Sequence, residues 1–146
     1  MIYDKILIAT ELGGLAAAHG LKLAKELKVP VVVVTVTQVW SALEIGYEAR
    51  LTKADPIERY RESAAALAQR ILDEAGDQAK AAGVSFELVH VPESAPAEGI
   101  IATAEKQGCD LIVMASNGRR GLGRFLLGSQ ANEVLVYSKV PALIVR

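Results

Sequence analysis

Two patterns of apolar positions alternate along the chain. Short uninterrupted apolar runs occupy Lys5–Thr10, Pro30–Thr37, Ser85–Val91, Asp110–Ala115 and Ala142–Val145. Val31-Val32-Val33-Val34 shows no polar alternation, which marks a strand buried on both faces. Between the runs, apolar residues return every three or four positions. Ala17, Leu21, Ala24 and Leu27 form one such series, and Tyr60, Ala64, Leu67, Ile71, Ala75 and Ala79 a second. Ala97, Ile101 and Ala104 form a third, and Ala131, Val134 (or Leu135) and Ser138 a fourth. This spacing predicts helices. The resulting order, βαβαβαβαβ, calls for an open parallel α/β sheet with right-handed crossovers and helices on both faces.

Residues 1–146 read as one domain, without linker or internal repeat. One stretch breaks the rhythm: Gln38–Ile57, between the second strand and the second helix, carries Trp40, Tyr47 and Arg50. A connection that long is either a lid or binding loop, or an insertion that covers a helix with its own turns. Both readings stay open.

Composition narrows the classes. Hydrophobic residues make up 51% and aromatics only 5%, so the core is aliphatic. The net charge of −1 gives no global field that would attract nucleic acid or an anionic membrane. A single cysteine, Cys109, excludes an internal disulfide, and no Cys/His cluster suggests zinc. Met1-Ile2-Tyr3-Asp4-Lys5 runs straight into a strand pattern with no signal-peptide layout, and no apolar stretch approaches a membrane span. The expectation is a cytoplasmic protein.

The candidate chemistry lies after the fourth strand. Ala115 is followed by Ser116-Asn117-Gly118-Arg119-Arg120-Gly121-Leu122-Gly123-Arg124, and then Phe125-Leu126-Leu127-Gly128-Ser129. A helix is expected to begin near Ser129, with Ser129 as its N-cap, and to run to Ser138. Gly118, Gly121 and Gly123 let the backbone approach a ligand closely, and exposed amides beside a helix N-terminus favour an anion. There is no Walker A sequence and no G-x-G-x-x-G after the first strand. Spacing alone leaves a phosphate site and a plain flexible loop as alternatives. Arg119, Arg120 and Arg124 read either as a solvated face or as phosphate contacts.

The same segment resembles the ATP-binding signature of the universal stress protein family, which runs Gly, two residues, Gly, nine residues, then Gly-Ser or Gly-Thr. Gly118 matches the second glycine, Arg119–Leu127 supplies the nine residues, and Gly128-Ser129 matches the end. Ala115 stands where the family has its first glycine. Lys5-Ile6-Leu7-Ile8-Ala9-Thr10-Glu11 resembles the family's first strand, with Glu11 in place of the usual Asp. The resemblance implies an adenine nucleotide alpha hydrolase-like fold with sheet order 3-2-1-4-5. It also implies ATP or AMP, with or without Mg²⁺, bound where the order reverses between strands one and four. The implied contacts are Thr10, Glu11, Val36, Met114, Ala115, Gly118, Arg119, Gly128, Ser129 and Gln130. It implies further a homodimer through Pro141–Arg146.

Three functions follow for comparison. The first is a nucleotide-responsive regulatory protein of the stress response. The second is a dimeric scaffold or interaction module whose nucleotide site has decayed, for which Ala115 and Glu11 speak. The third is an enzyme, a slow ATPase or a nucleotide transferase, for which no general base or acidic pair for Mg²⁺ stands beside the glycines. His90 reads as a hydrogen-bonded strand histidine, His19 as a surface or boundary residue and Cys109 as a structural thiol.

Overall fold

Five valine and isoleucine-rich strands line up in parallel with the order β3-β2-β1-β4-β5. In chain order the elements are β1 (Ile6–Ala9), α1 (Leu15–Leu27), β2 (Val31–Val36), α2 (Pro56–Ala82), β3 (Phe86–Val91), α3 (Pro96–Gln107), β4 (Leu111–Ala115), α4 (Ser129–Tyr137) and β5 (Ala142–Val145). These elements come from a computed structural model, which describes residues 2–11, 14–38, 56–116 and 128–146. Most of the stretch 38–57 and most of the glycine segment therefore lie outside the described residues.

Alternate residues of each central strand face opposite sides, as the period of two requires. Ile6, Ile8, Val31, Val33, Leu111 and Val113 meet Ala16, Ala17, Leu21 and Ala24 of α1 and Leu72, Ala75 and Ala79 of α2. Leu7, Val32, Val34, Ile112 and Met114 meet Ala97, Ile100 and Ala104 of α3 and Ala131 and Val134 of α4. Ile6, Leu7, Ile8, Val32, Val33, Val34, Ile112 and Val113 are wholly buried. Each such side chain contributes about 1.5–3 kcal/mol. The uninterrupted apolar runs thus have their cause in helices on both faces.

Three helices hand over to the next strand by the same device. Lys28, Gly83 and Gly108 take left-handed backbone angles just past α1, α2 and α3, with φ of 59°, 72° and 69°. The residue after each sends its N–H back five positions: Val29 to Ala24 O at 3.1 Å, Val84 to Ala79 O at 3.0 Å, and Cys109 to Ala104 O at 2.9 Å. Val29, Val84 and Cys109 are all buried. This is the Schellman closure, which satisfies orphan carbonyls and buries an apolar residue as the chain reverses.

The strands are shorter than the apolar runs. Asp110 stays outside β4 because its carboxylate accepts the N–H groups of Asp4 at 2.9 Å and Lys5 at 3.1 Å. Pro30 has no N–H for the ladder, although its carbonyl accepts from Ile6 at 3.1 Å. At the other end, α2 begins at Pro56, inside the stretch read as a connection, where proline suits a first helical position.

Candidate functional site

Parallel strands end together, so the residues that follow them share one edge of the sheet. Thr10 comes after β1, Val36 closes β2, and Met114 and Ala115 close β4. The register pairs Ile8 with both Val33 and Val113. Two places further along, Thr10 stands level with Ala115. From here the chain leaves β1 for α1 on one face and β4 for α4 on the other. A parallel sheet opens a crevice at such a reversal.

Thr10 is buried, and its N–H continues the ladder to Val34 O at 3.0 Å. Its hydroxyl donates to the carbonyl of Glu11 at 3.3 Å. That carbonyl also accepts from Gly14, whose φ of 61° begins α1 without a side-chain cap. Glu11 itself is exposed. Val36 is half-buried beneath α3, where a Cβ on Gly99 would come within 3.0 Å of its Cγ2. Its side chain is thereby committed to packing. Met114 is buried and Ala115 half-buried, paired with Val145 of β5.

On the far side of the glycine segment, Gly128 donates its N–H to Ser116 O at 2.7 Å, and Ser116 donates to Val145 O at 2.9 Å. Gly128 keeps extended angles, φ −61° and ψ 151°, and is the N-cap of α4. Ser129 is accordingly the first helical residue rather than the cap, because Gly128 is held by Ser116 and takes the boundary position. Its side chain is exposed. Asn132 makes the first bond of the helix, to Gly128 O at 3.0 Å. Helix geometry leaves the N–H groups of Ser129, Gln130 and Ala131 without intrahelical acceptors. No acidic residue stands in that first turn. Such an end accepts an anion, with a dipole contribution of about 0.3–1 kcal/mol where exposed. Gly118 and Arg119 lie outside the described residues, as do Trp40, Tyr47, Arg50, Arg120, Gly121, Gly123 and Arg124.

One contact had no signal in periodicity. The side-chain carbonyl of Gln130 accepts the backbone N–H of Ala97, in the first turn of α3, at 3.1 Å. The only hint in the sequence is the start of α3 itself: Ala95-Pro96 offers neither a capping side chain nor a proline N–H.

The remaining reactive groups stand apart. His90 Nε2 shares a 2.9 Å hydrogen bond with the Thr37 hydroxyl, and burial lowers its pKa from the ordinary 6.5. Burial pushes the Cys109 thiol up to about 11, with Lys5 pulling the other way and Asp110 and Glu87 adding to the rise. A shallow surface depression lies between the start of α1 and α2, lined by Thr10, Glu11, Gly14, Glu74 and Gln78 among others. It lies on the α1/α2 face, away from α4. Among the described residues no group of three His, Cys, Asp or Glu is set for a metal ion, and no helix is long and apolar enough to cross a membrane.

This arrangement has relatives. Universal stress protein MJ0531 of Methanocaldococcus jannaschii is 32% identical over 148 residues, covering 99% of this chain and 83% of the relative. The solved structure of the protein MJ0577 superposes with a TM-score of 0.77 at 26% identity, covering 99% of this chain and 96% of the other. A universal stress protein crystallised in complex with cAMP gives a TM-score of 0.70 at 27% identity, covering 100% and 99% of the two chains. Its neighbours thus share the adenine nucleotide alpha hydrolase-like fold. The model of the universal stress protein family matches residues 2–146, nearly every position from before β1 to the end of β5, and the chain belongs to that family.

Proposed function

We propose that this protein binds an adenine nucleotide, ATP or AMP, in the crevice between β1 and β4, and that binding serves a regulatory role in a cytoplasmic stress response. The observation that carries this reading is the first turn of α4. Its N–H groups, which have no intrahelical acceptors, follow the Gly128-Ser129 end of the family signature, and Gly128 is tied back to the end of β4 through Ser116. The phosphates would lie on Gly118, Arg119, Gly128, Ser129 and the Gln130 amide, with Thr10, Glu11, Val36, Met114 and Ala115 beside the nucleoside. A relative that binds cAMP supports the adenine class. Mg²⁺ would accompany ATP through phosphate oxygens and water. The purified protein, denatured and analysed by absorbance and mass spectrometry, is expected to release an adenine nucleotide. Release of none after gentle purification, with no uptake on adding ATP, overturns the reading.

The protein further assembles, on this proposal, as a homodimer through Pro141–Arg146. The two edge strands differ in a telling way. β3 carries Glu87 and His90, whereas β5, Ala-Leu-Ile-Val, carries no polar residue and lies close in sequence to the exposed Val136 and Tyr137. An uncharged edge invites pairing. Sedimentation of the whole chain at twice the monomer mass supports this, and a monomer at high concentration refutes it.

A further inference from the structure

We propose that Gln130 is a positioning residue, which fixes the phosphate-facing turn of α4 by tying it to α3; the inference rests on the nucleotide reading above. The start of α3 needs an acceptor from elsewhere. Its N-cap is Ala95, with no side-chain cap, and Pro96 has no N–H, so Ala97 carries the first orphan donor. Ala97 is buried in one core with Ala131 and Val134 of α4. A buried donor left without a partner is costly, and Gln130 Oε1 supplies the acceptor at 3.1 Å, which holds the turn to α3. The same turn is held on its other side by the 2.7 Å bond from Gly128 to Ser116. Between these two anchors lie the N–H groups of Ser129 and Gln130. Side chain and main chain of Gln130 divide the work: the first faces α3, and the second remains a donor for phosphate.

The choice of amide over carboxylate follows from the same geometry. A glutamate would accept from Ala97 equally well, but would set a negative charge at the helix end that receives phosphate. Glutamine caps α3 without repelling the ligand. The residue therefore acts on the phosphate portion of the nucleotide and leaves the nucleoside portion untouched.

Two variants test this, Gln130→Met, of similar length without an acceptor, and Gln130→Glu, with the acceptor kept and a charge added. Calorimetry with ATP and with adenosine, and hydrogen exchange at the Ala97 amide, provide the readouts. Gln130→Met is expected to speed exchange at Ala97 and to weaken ATP about five- to tenfold while adenosine changes less than about twofold. Gln130→Glu is expected to keep Ala97 protected and still weaken ATP, an effect reduced by salt. Unchanged ATP affinity in Gln130→Met overturns the proposal, as does an equal loss for ATP and adenosine, which marks general loosening. Wild-type protein that binds no ATP removes the nucleotide reading and the proposal with it.

Discussion

Gly20 of α1 and Ile8 of β1 are in such close contact that a Cβ on Gly20 would stand 2.7 Å from Ile8 Cγ1 and 2.8 Å from its Cδ1. Ile8 is wholly buried, and Val113 lies behind it at 3.5 Å from the same point. The helix is therefore seated against the two strands that flank the crevice by the absence of one methyl group. Gly20→Ala is expected to lose about 1–3 kcal/mol to overpacking, against a gain of at most ~1 kcal/mol in helix propensity. A lower urea midpoint than wild type is the predicted result; an equal or higher midpoint contradicts it.

Lys28 sits at the closing position of α1 with φ 59°, where α2 and α3 use Gly83 and Gly108. A side chain in this conformation costs roughly 1–2 kcal/mol. Lys28→Gly is expected to raise stability by about 1 kcal/mol, less the entropy that glycine adds to the unfolded chain. Chemical denaturation measures it, and a variant less stable than wild type speaks against the Schellman assignment.

His90 makes stability depend on pH in one direction. Burial lowers its folded pKa below the ordinary 6.5, so the unfolded chain binds the proton more readily. The contribution is fully present above pH 6.5 and is lost as pH falls through that value toward the folded pKa. Comparing wild type with His90→Gln by denaturation on both sides of this window isolates it. The variant is expected to lose less stability on acidification; an identical pH dependence contradicts the assignment.

Cys109 occupies the buried position after Gly108, with its pKa raised from 9.0 to about 11, which lowers the thiolate fraction on the order of a hundredfold. Thiol reagents at neutral pH are expected to label the denatured chain readily and the native chain hardly at all. Rapid native labelling contradicts its burial.

The strands and helices were legible because the valine runs and the three-to-four spacing each have a single physical cause, burial from two faces or from one. Sheet order was legible only through the family resemblance, since periodicity carries no record of which strands adjoin. The helix at Pro56 extended into a stretch read as a connection, because the clearest apolar spacing starts only at Tyr60. At the site, Thr10, Val36, Ala115 and Gly128 could be placed in advance as residues at strand and helix ends. The bond from Ala97 to Gln130 could not, because it joins residues 33 apart through a side chain whose type is equally common on solvent faces. The N-cap moved from Ser129 to Gly128 for a similar reason: the bond to Ser116 is tertiary and leaves no local pattern.

Adenine nucleotide binding is proposed on the segment that ends in Gly128-Ser129. Titration calorimetry with ATP, on wild type and on Gly118→Val, tests it most directly. Saturable binding of one nucleotide per chain by wild type, lost in the folded variant, is the predicted result. Folded wild-type protein that yields no binding heat at millimolar ATP, or a variant that binds as tightly as wild type, contradicts it.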